Sequence, residues 1–180
     1  EAYEEYARRL PDSQRFLDMV GPPNVLYVNR GVKGFEIAPE NAALEFHRNS
    51  FQSSWCDFDD DGDPDLYIAN DFAPDVLVRN DGHGEDGTIR FTNVSQTVGH
   101  PAMRGFGMGA DWGDYDRDGK VDLYVSNMYS KAGLRITEQV PDLDSRFHEF
   151  AEGNRLYRFD GEKFELTSYP AKGGHDVNIA

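Results

Sequence analysis

Two nine-residue stretches hold the side chains of this chain best suited to chemistry: Asp57-Phe-Asp-Asp-Asp-Gly-Asp-Pro-Asp65 and Asp114-Tyr-Asp-Arg-Asp-Gly-Lys-Val-Asp122. Each places aspartate at positions one, three, five and nine, with glycine at position six. Carboxylates at alternate positions of a short loop can converge on one ion, and the glycine permits the sharp turn this requires. An all-oxygen shell suits Ca2+, with the backbone carbonyl of position seven adding a further donor. The expected ligands of the first loop are Asp57, Asp59, Asp61 and Asp65, with Asp63 acting through its carbonyl. Those of the second are Asp114, Asp116, Asp118 and Asp122, with the carbonyl of Lys120. Mg2+ suits the set less well, because it prefers a tight octahedron that keeps several waters. A transition metal would call for His or Cys, and neither stretch contains one.

An EF-hand needs a bidentate Glu at position twelve, where Ile68 and Val125 stand, so that motif is rejected. Aspartate and glycine are also favoured in ordinary acidic turns. Two copies with the same carboxylate spacing and the same flanking Trp and Leu-Tyr argue for the metal instead. Without an ion the crowded carboxylates repel, which raises their pKa values or opens the loop, so calcium is expected to stabilise the fold.

Other reactive residues carry less. His47, His83, His100, His148 and His175 are scattered without ligand-like spacing. The clustered aspartates fit coordination better than an acid and a base facing a sugar across a cleft. Cys56 has no local reason to be activated and reads as a small buried residue. Trp55 and Trp112 precede each loop by two residues, and a repeated packing role is expected of them and of Tyr67 and Tyr124. Arg104, Lys131, Arg135 and Arg146 gather loosely around one insertion, where a solvated surface is the expected reading.

The elements that position the loops form a repeat. Phe51–Asn70 lies over Met108–Asn127 without a gap, matching Trp, four Asp, Gly, Leu, Tyr and Asn at a period of 57 residues. Upstream come paired segments: Leu26-Tyr-Val-Asn29 with Phe35-Glu-Ile37, and Leu77-Val-Arg-Asn80 with Phe91-Thr-Asn-Val94. A third copy begins at Asn154-Arg-Leu-Tyr157 and Phe164-Glu-Leu166. All are short, β-branched or aromatic, and separated by turns such as Asn80-Asp-Gly82, which predicts antiparallel strands. Four strands per period suit one blade of a β-propeller, whereas an immunoglobulin-like sandwich would not explain the repeat.

The expected architecture is all-β, a partial β-propeller of about two and a half four-stranded antiparallel blades. A helical lead-in is expected over residues 1–23, with Tyr3, Tyr6, Ala7 and Leu10 at helical spacing. The propeller repeats then cover 24–180: a half blade at 24–50, a blade at 51–105, and a blade at 106–180. The last carries an insertion at 128–153 with a short helix around Leu143 to Phe150.

A formal net charge of −15 argues against nucleic acid or an anionic membrane surface as partner, because phosphate binding needs a basic face. No apolar run approaches the length of a membrane span, so insertion into a membrane is not expected. A single cysteine rules out an intrachain disulfide.

The loops, the paired Asn-x-Leu-Tyr strand, Asp-Leu-Tyr-Val-x-Asn and Phe106-Gly-Met-Gly-Ala110 resemble the FG-GAP and VCBS repeat family, whose calcium-loop blades also build integrin α-subunit propellers. The match covers most of residues 24–170. It is similar in particular to bacterial proteins related to cartilage acidic protein, which often carry an ASPIC/UnbV segment. The resemblance implies a secreted, periplasmic or surface-exposed module that binds calcium at the residues named above and meets a protein or glycan at a propeller face. The wall of a propeller lyase or hydrolase, and a scaffold subunit of a surface assembly, are the alternatives. Phe35 precedes Asp57 by 22 residues and Phe91 precedes Asp114 by 23, so a third loop is expected near residue 186, beyond Ala180. Closed propellers need about four to eight blades. The chain is therefore expected to be part of a longer one, or to complete a ring by self-association.

Overall fold

The β-branched and aromatic segments of the repeat become strands in the computed structural model of the chain, which describes residues 21–38, 44–128, 145–150 and 153–168. β1 (Tyr27–Asn29) and β2 (Phe35–Ile37) form a two-stranded antiparallel sheet in which Tyr27 faces Ile37. β3 (Asn49–Cys56), β4 (Asp65–Pro74), β5 (Val76–His83) and β6 (Ile89–Asn93) then pair in succession, each antiparallel to the last. β7 (Arg104–Gly113), β8 (Asp122–Asn127), β9 (Arg155–Phe159) and β10 (Phe164–Ser168) repeat that meander. The fold is all-β and of partial-propeller type, as the repeat implies. The end of β4 pairs with the start of β7 (Asp71↔Phe106, Ala73↔Gly105, Pro74↔Arg104), which joins the two meanders into one eight-stranded sheet. A short helix, α1 (Arg146–Phe150), falls where one is expected in the insertion. The lead-in helix expected before residue 21 and the insertion across 129–144 lie outside the described residues.

β4 shows why the blades need one another. Successive side chains on a strand point to opposite faces. Tyr67 and Ala69 enter a core with Phe58, Leu77, Leu123, Tyr157, Phe159 and Phe164, whereas Leu66 and Ile68 pack on the other side with Leu44, Val76 and Val78. Both faces of the strand are covered, so its sequence reads as a nearly continuous buried run. The first core lies between the two four-stranded meanders. The second is lined by Leu26 and Phe46, which come from the hairpin side.

Close approach of β7 to its neighbours depends on glycine. A Cβ at Gly107 would stand 2.7 Å from the Asn70 carbonyl oxygen, and one at Gly109 would stand 2.5 Å from Gln52 Oε1, which accepts a hydrogen bond from the Ala110 N–H. The register shifts between Gly107 and Gly109 on β7 and between Ser50 and Gln52 on β3, the same place in each repeat. The matched irregularities thus stand at the same distance ahead of both acidic loops, and such bulges re-aim the strand that follows.

Candidate metal centre

Each acidic loop joins the first two strands of a meander, β3 to β4 and β7 to β8. The two share one internal hydrogen-bond pattern. Asp57 Oδ1 and Oδ2 accept from the N–H groups of Asp61 (3.1 Å) and Gly62 (2.9 Å), and Asp61 Oδ1 accepts from Asp63 (2.9 Å). Asp114 accepts from Asp118 and Gly119, both at 3.0 Å, and Asp118 accepts from Lys120 at 2.9 Å. The glycine at position six is left-handed in both loops, Gly62 at φ 95 and Gly119 at φ 87. Position four is left-handed too, as Asp60 and Arg117, a feature the spacing of the aspartates does not reveal.

The folded loops bring carboxylates together. One oxygen each of Asp57, Asp59 and Asp61 lies within 4.8 Å of the others, and the same holds for Asp114, Asp116 and Asp122. Asp65 and Asp122, at position nine, are buried and bind both halves of their surroundings. Asp65 Oδ1 accepts from Asn80 N–H on β5 (2.8 Å) and Oδ2 from Phe58 N–H in the loop (3.0 Å). Asp122 accepts from Phe159 N–H (2.9 Å) and Tyr115 N–H (3.1 Å). Of the residues expected to act through a carbonyl, Asp63 is half-buried beside Gly82, and Lys120 is half-buried with Nζ 3.5 Å from Asp118 Oδ2.

Electrostatics follow from this crowding. Burial pushes the Asp65 carboxyl up to about 6 despite its two N–H donors, and the charges of Asp59 and Asp61 add to the rise. Burial raises Asp59 as well, with Asp61 adding, and it raises Asp122. Asp118 departs from this trend. The Lys120 N–H lowers it first, and the Lys120 and Arg158 charges lower it further. Arg158 on β9 is a residue that sequence reasoning missed: its Nε lies 2.5 Å from Asp116 Oδ2 and its Nη2 2.5 Å from Asp118 Oδ2.

The set is chemically consistent with a hard cation. Its donors are carboxylate oxygens, of which Asp59, Asp65 and Asp122 are raised by burial first and by neighbouring carboxylates second, and no His or Cys joins either cluster. Strands flank both loops, as the rejection of an EF-hand requires. Cys56 differs from its expectation in being half-buried; burial raises its thiol, with Asp57 and Asp65 adding, which opposes reactivity.

The packing role expected of both tryptophans holds for Trp112, which stacks on Phe58 at 6.4 Å and meets Tyr67 edge-on at 6.2 Å. Trp55 is 44% exposed, because no blade among the described residues covers that face of β3. Arg104 is not merely solvated: its Nη2 lies 2.6 Å from Glu149 Oε2 on α1.

The family model of the FG-GAP-like repeat matches residues 57–125, from the first aspartate of loop one into β8. This supports an FG-GAP repeat at the centre of the chain and agrees with its propeller-type sheet. No curated protein matches the chain.

Proposed function

We propose that the chain is a calcium-binding β-propeller segment that serves as an extracytoplasmic binding, adhesion or protein-interaction module, with calcium in a structural role. The observation that carries this reading is the convergence of three carboxylates in each of two loops at the same place in the repeat. Asp57, Asp59, Asp61 and Asp65, with the carbonyl of Asp63, would hold one ion. Asp114, Asp116, Asp118 and Asp122, with the carbonyl of Lys120, would hold the other. A bound ion supplies the positive charge that these carboxylates lack.

The first loop is coupled to packing. Phe58 lies between two of its aspartates in sequence, and its ring meets Phe159 at 5.4 Å and Phe164 at 5.6 Å in the other meander. Fixing the loop therefore fixes a wedge between blades. An ion at 100 times its Kd adds about 2.7 kcal/mol to stability.

The interaction role is supported by large apolar side chains left exposed on the hairpin, Tyr27, Phe35 and Ile37, and on β3, Phe51 and Trp55. Phe51 and Trp55 also line a cavity of about 320 Å³ with Leu26, Leu44 and Gln52. Exposed apolar side chains around a concave site mark contact surfaces. No helix among the described residues is long and apolar enough to cross a membrane. The extracytoplasmic placement rests on the resemblance to FG-GAP proteins and to bacterial relatives of cartilage acidic protein.

Titration calorimetry with CaCl2 on metal-stripped protein, with a thermal melt at each calcium level, tests the reading. Two sites and a rising Tm are expected; no heat and no shift would overturn it.

A further inference from the structure

We propose that Arg158 is a built-in counter-ion of the second loop, so that the first loop takes calcium tightly and the second takes it only when the guanidinium swings away from Asp116 and Asp118. This rests on the calcium reading above and adds an order of filling to it.

The two loops have one backbone pattern and different cations around it. Arg79 on β5 and Arg158 on β9 occupy the same station, since the N–H of the following residue, Asn80 or Phe159, donates to the position-nine aspartate in each case. Their side chains part company. Arg79 Nε lies 2.6 Å from Asp81 Oδ1, and Asp81 also accepts the Thr92 hydroxyl. Among the described residues no Lys or Arg is ion-paired with Asp57, Asp59 or Asp61.

The reason lies in the hairpin that follows. β5 runs on through Asp81 to His83, which leaves the Asp81 carboxylate on a strand beside Arg79 and Thr92. β9 ends at Phe159, so the corresponding acid, Asp160, sits in the turn and closes it by accepting from the N–H groups of Glu162 (2.7 Å) and Lys163 (2.8 Å). With its local carboxylate engaged in that turn, Arg158 reaches the loop and forks across two of its acids. Charge-assisted pairs of this geometry are strong for hydrogen bonds. Positions four and seven reinforce the difference, being Asp60 and Asp63 in the first loop and Arg117 and Lys120 in the second. Calcium affinity in such loops follows ligand charge. The second loop offers less net negative charge, and its guanidinium must first be displaced.

The test is calorimetric titration with CaCl2 of metal-stripped wild type, R158Q, R158K, R79Q and D59N, each checked for folding by circular dichroism. Wild type is expected to show two affinities about tenfold or more apart, and D59N to lose the tighter one. R158Q should tighten the weaker site about tenfold or more and leave the tighter one in place, with R79Q close to wild type. R158K, which keeps the charge but loses the fork, should fall between, and it decides the matter if R158Q does not fold. Two equal sites in wild type, or a weaker site unmoved by R158Q and R158K, overturn this inference while leaving calcium binding intact. Absence of calcium heat in every variant overturns both.

Discussion

Asp65 and Asp122 each spend both carboxylate oxygens on backbone N–H groups from two different segments, one in the loop and one on the third strand of the meander. Position nine thus holds the loop to the sheet whether or not an ion is present. Asp59, exposed at position three, accepts from the Asp61 N–H within its own loop rather than from the sheet, and is raised first by partial desolvation and then by the Asp61 charge. The two residues should separate cleanly in EDTA. D65A leaves the Phe58 and Asn80 N–H groups without their acceptor and is expected to cost roughly 2–5 kcal/mol in urea unfolding. D59N should leave metal-free stability unchanged within about 0.5 kcal/mol or raise it, while abolishing calcium heat from the first loop. The aspartate spacing was legible in the sequence because all the acids of a loop sit within nine residues. The second duty of position nine was not, and neither was Arg158, because its partners Asp116 and Asp118 are brought to it only by the pairing of β8 with β9.

At the scale of elements, the strands could be read from the repeat because each is a short β-branched or aromatic run closed by turn residues. Their environments could not. Trp55 and Trp112 occupy the same station, yet among the described residues only Trp112 has a meander against it. Likewise Phe106-Gly-Met-Gly-Ala110 stood out as a family pattern, but its physical reason is the approach of β7 to β4. The atom nearest a Cβ at Gly107 is a backbone carbonyl oxygen at 2.7 Å, with the Asn70 nitrogen at 3.1 Å behind it. Backbone in a paired strand cannot retreat as the end of a side chain can. G107A is therefore expected to destabilise the protein by about 1–3 kcal/mol through overpacking, whereas M108A, at an exposed position one residue on, should stay within about 0.5 kcal/mol. Equilibrium urea unfolding of the two variants makes the comparison, and equal losses would remove the steric account of these glycines.

Over the whole molecule, buried acids and calcium set opposite responses to pH. Asp75 lies in the seam between the meanders, where it accepts from Tyr67 Oη (2.7 Å) and Asn70 N–H (2.8 Å) and its own N–H donates to Met103. Burial pushes it up to about 6, against the pull of those donors and of Arg155. A carboxyl raised in the folded state binds its proton more tightly there than in the unfolded chain. The stability it contributes is complete below its ordinary value of 3.8 and is lost as pH rises through about 6. Asp65 at about 6, with Asp59 and Asp122 raised as well, acts in the same direction. His100, lowered by burial, opposes them, because it loses stability as pH falls below its ordinary 6.5. Asp81, Asp86, Asp118 and Asp160 are lowered, so their contributions are lost only as pH falls below 3.8, outside this range. The carboxylates outnumber the histidine, and metal-free protein should melt a few degrees higher at about pH 5.5 than at about pH 7.5, with D75N reducing the rise. Calcium reverses the sign, since protons compete with the ion for the loop carboxylates and acidification strips it. Thermal melts across this range, with EDTA and with excess CaCl2, should therefore slope in opposite directions. Parallel slopes would mean that the loops do not link calcium to the stability of the blades.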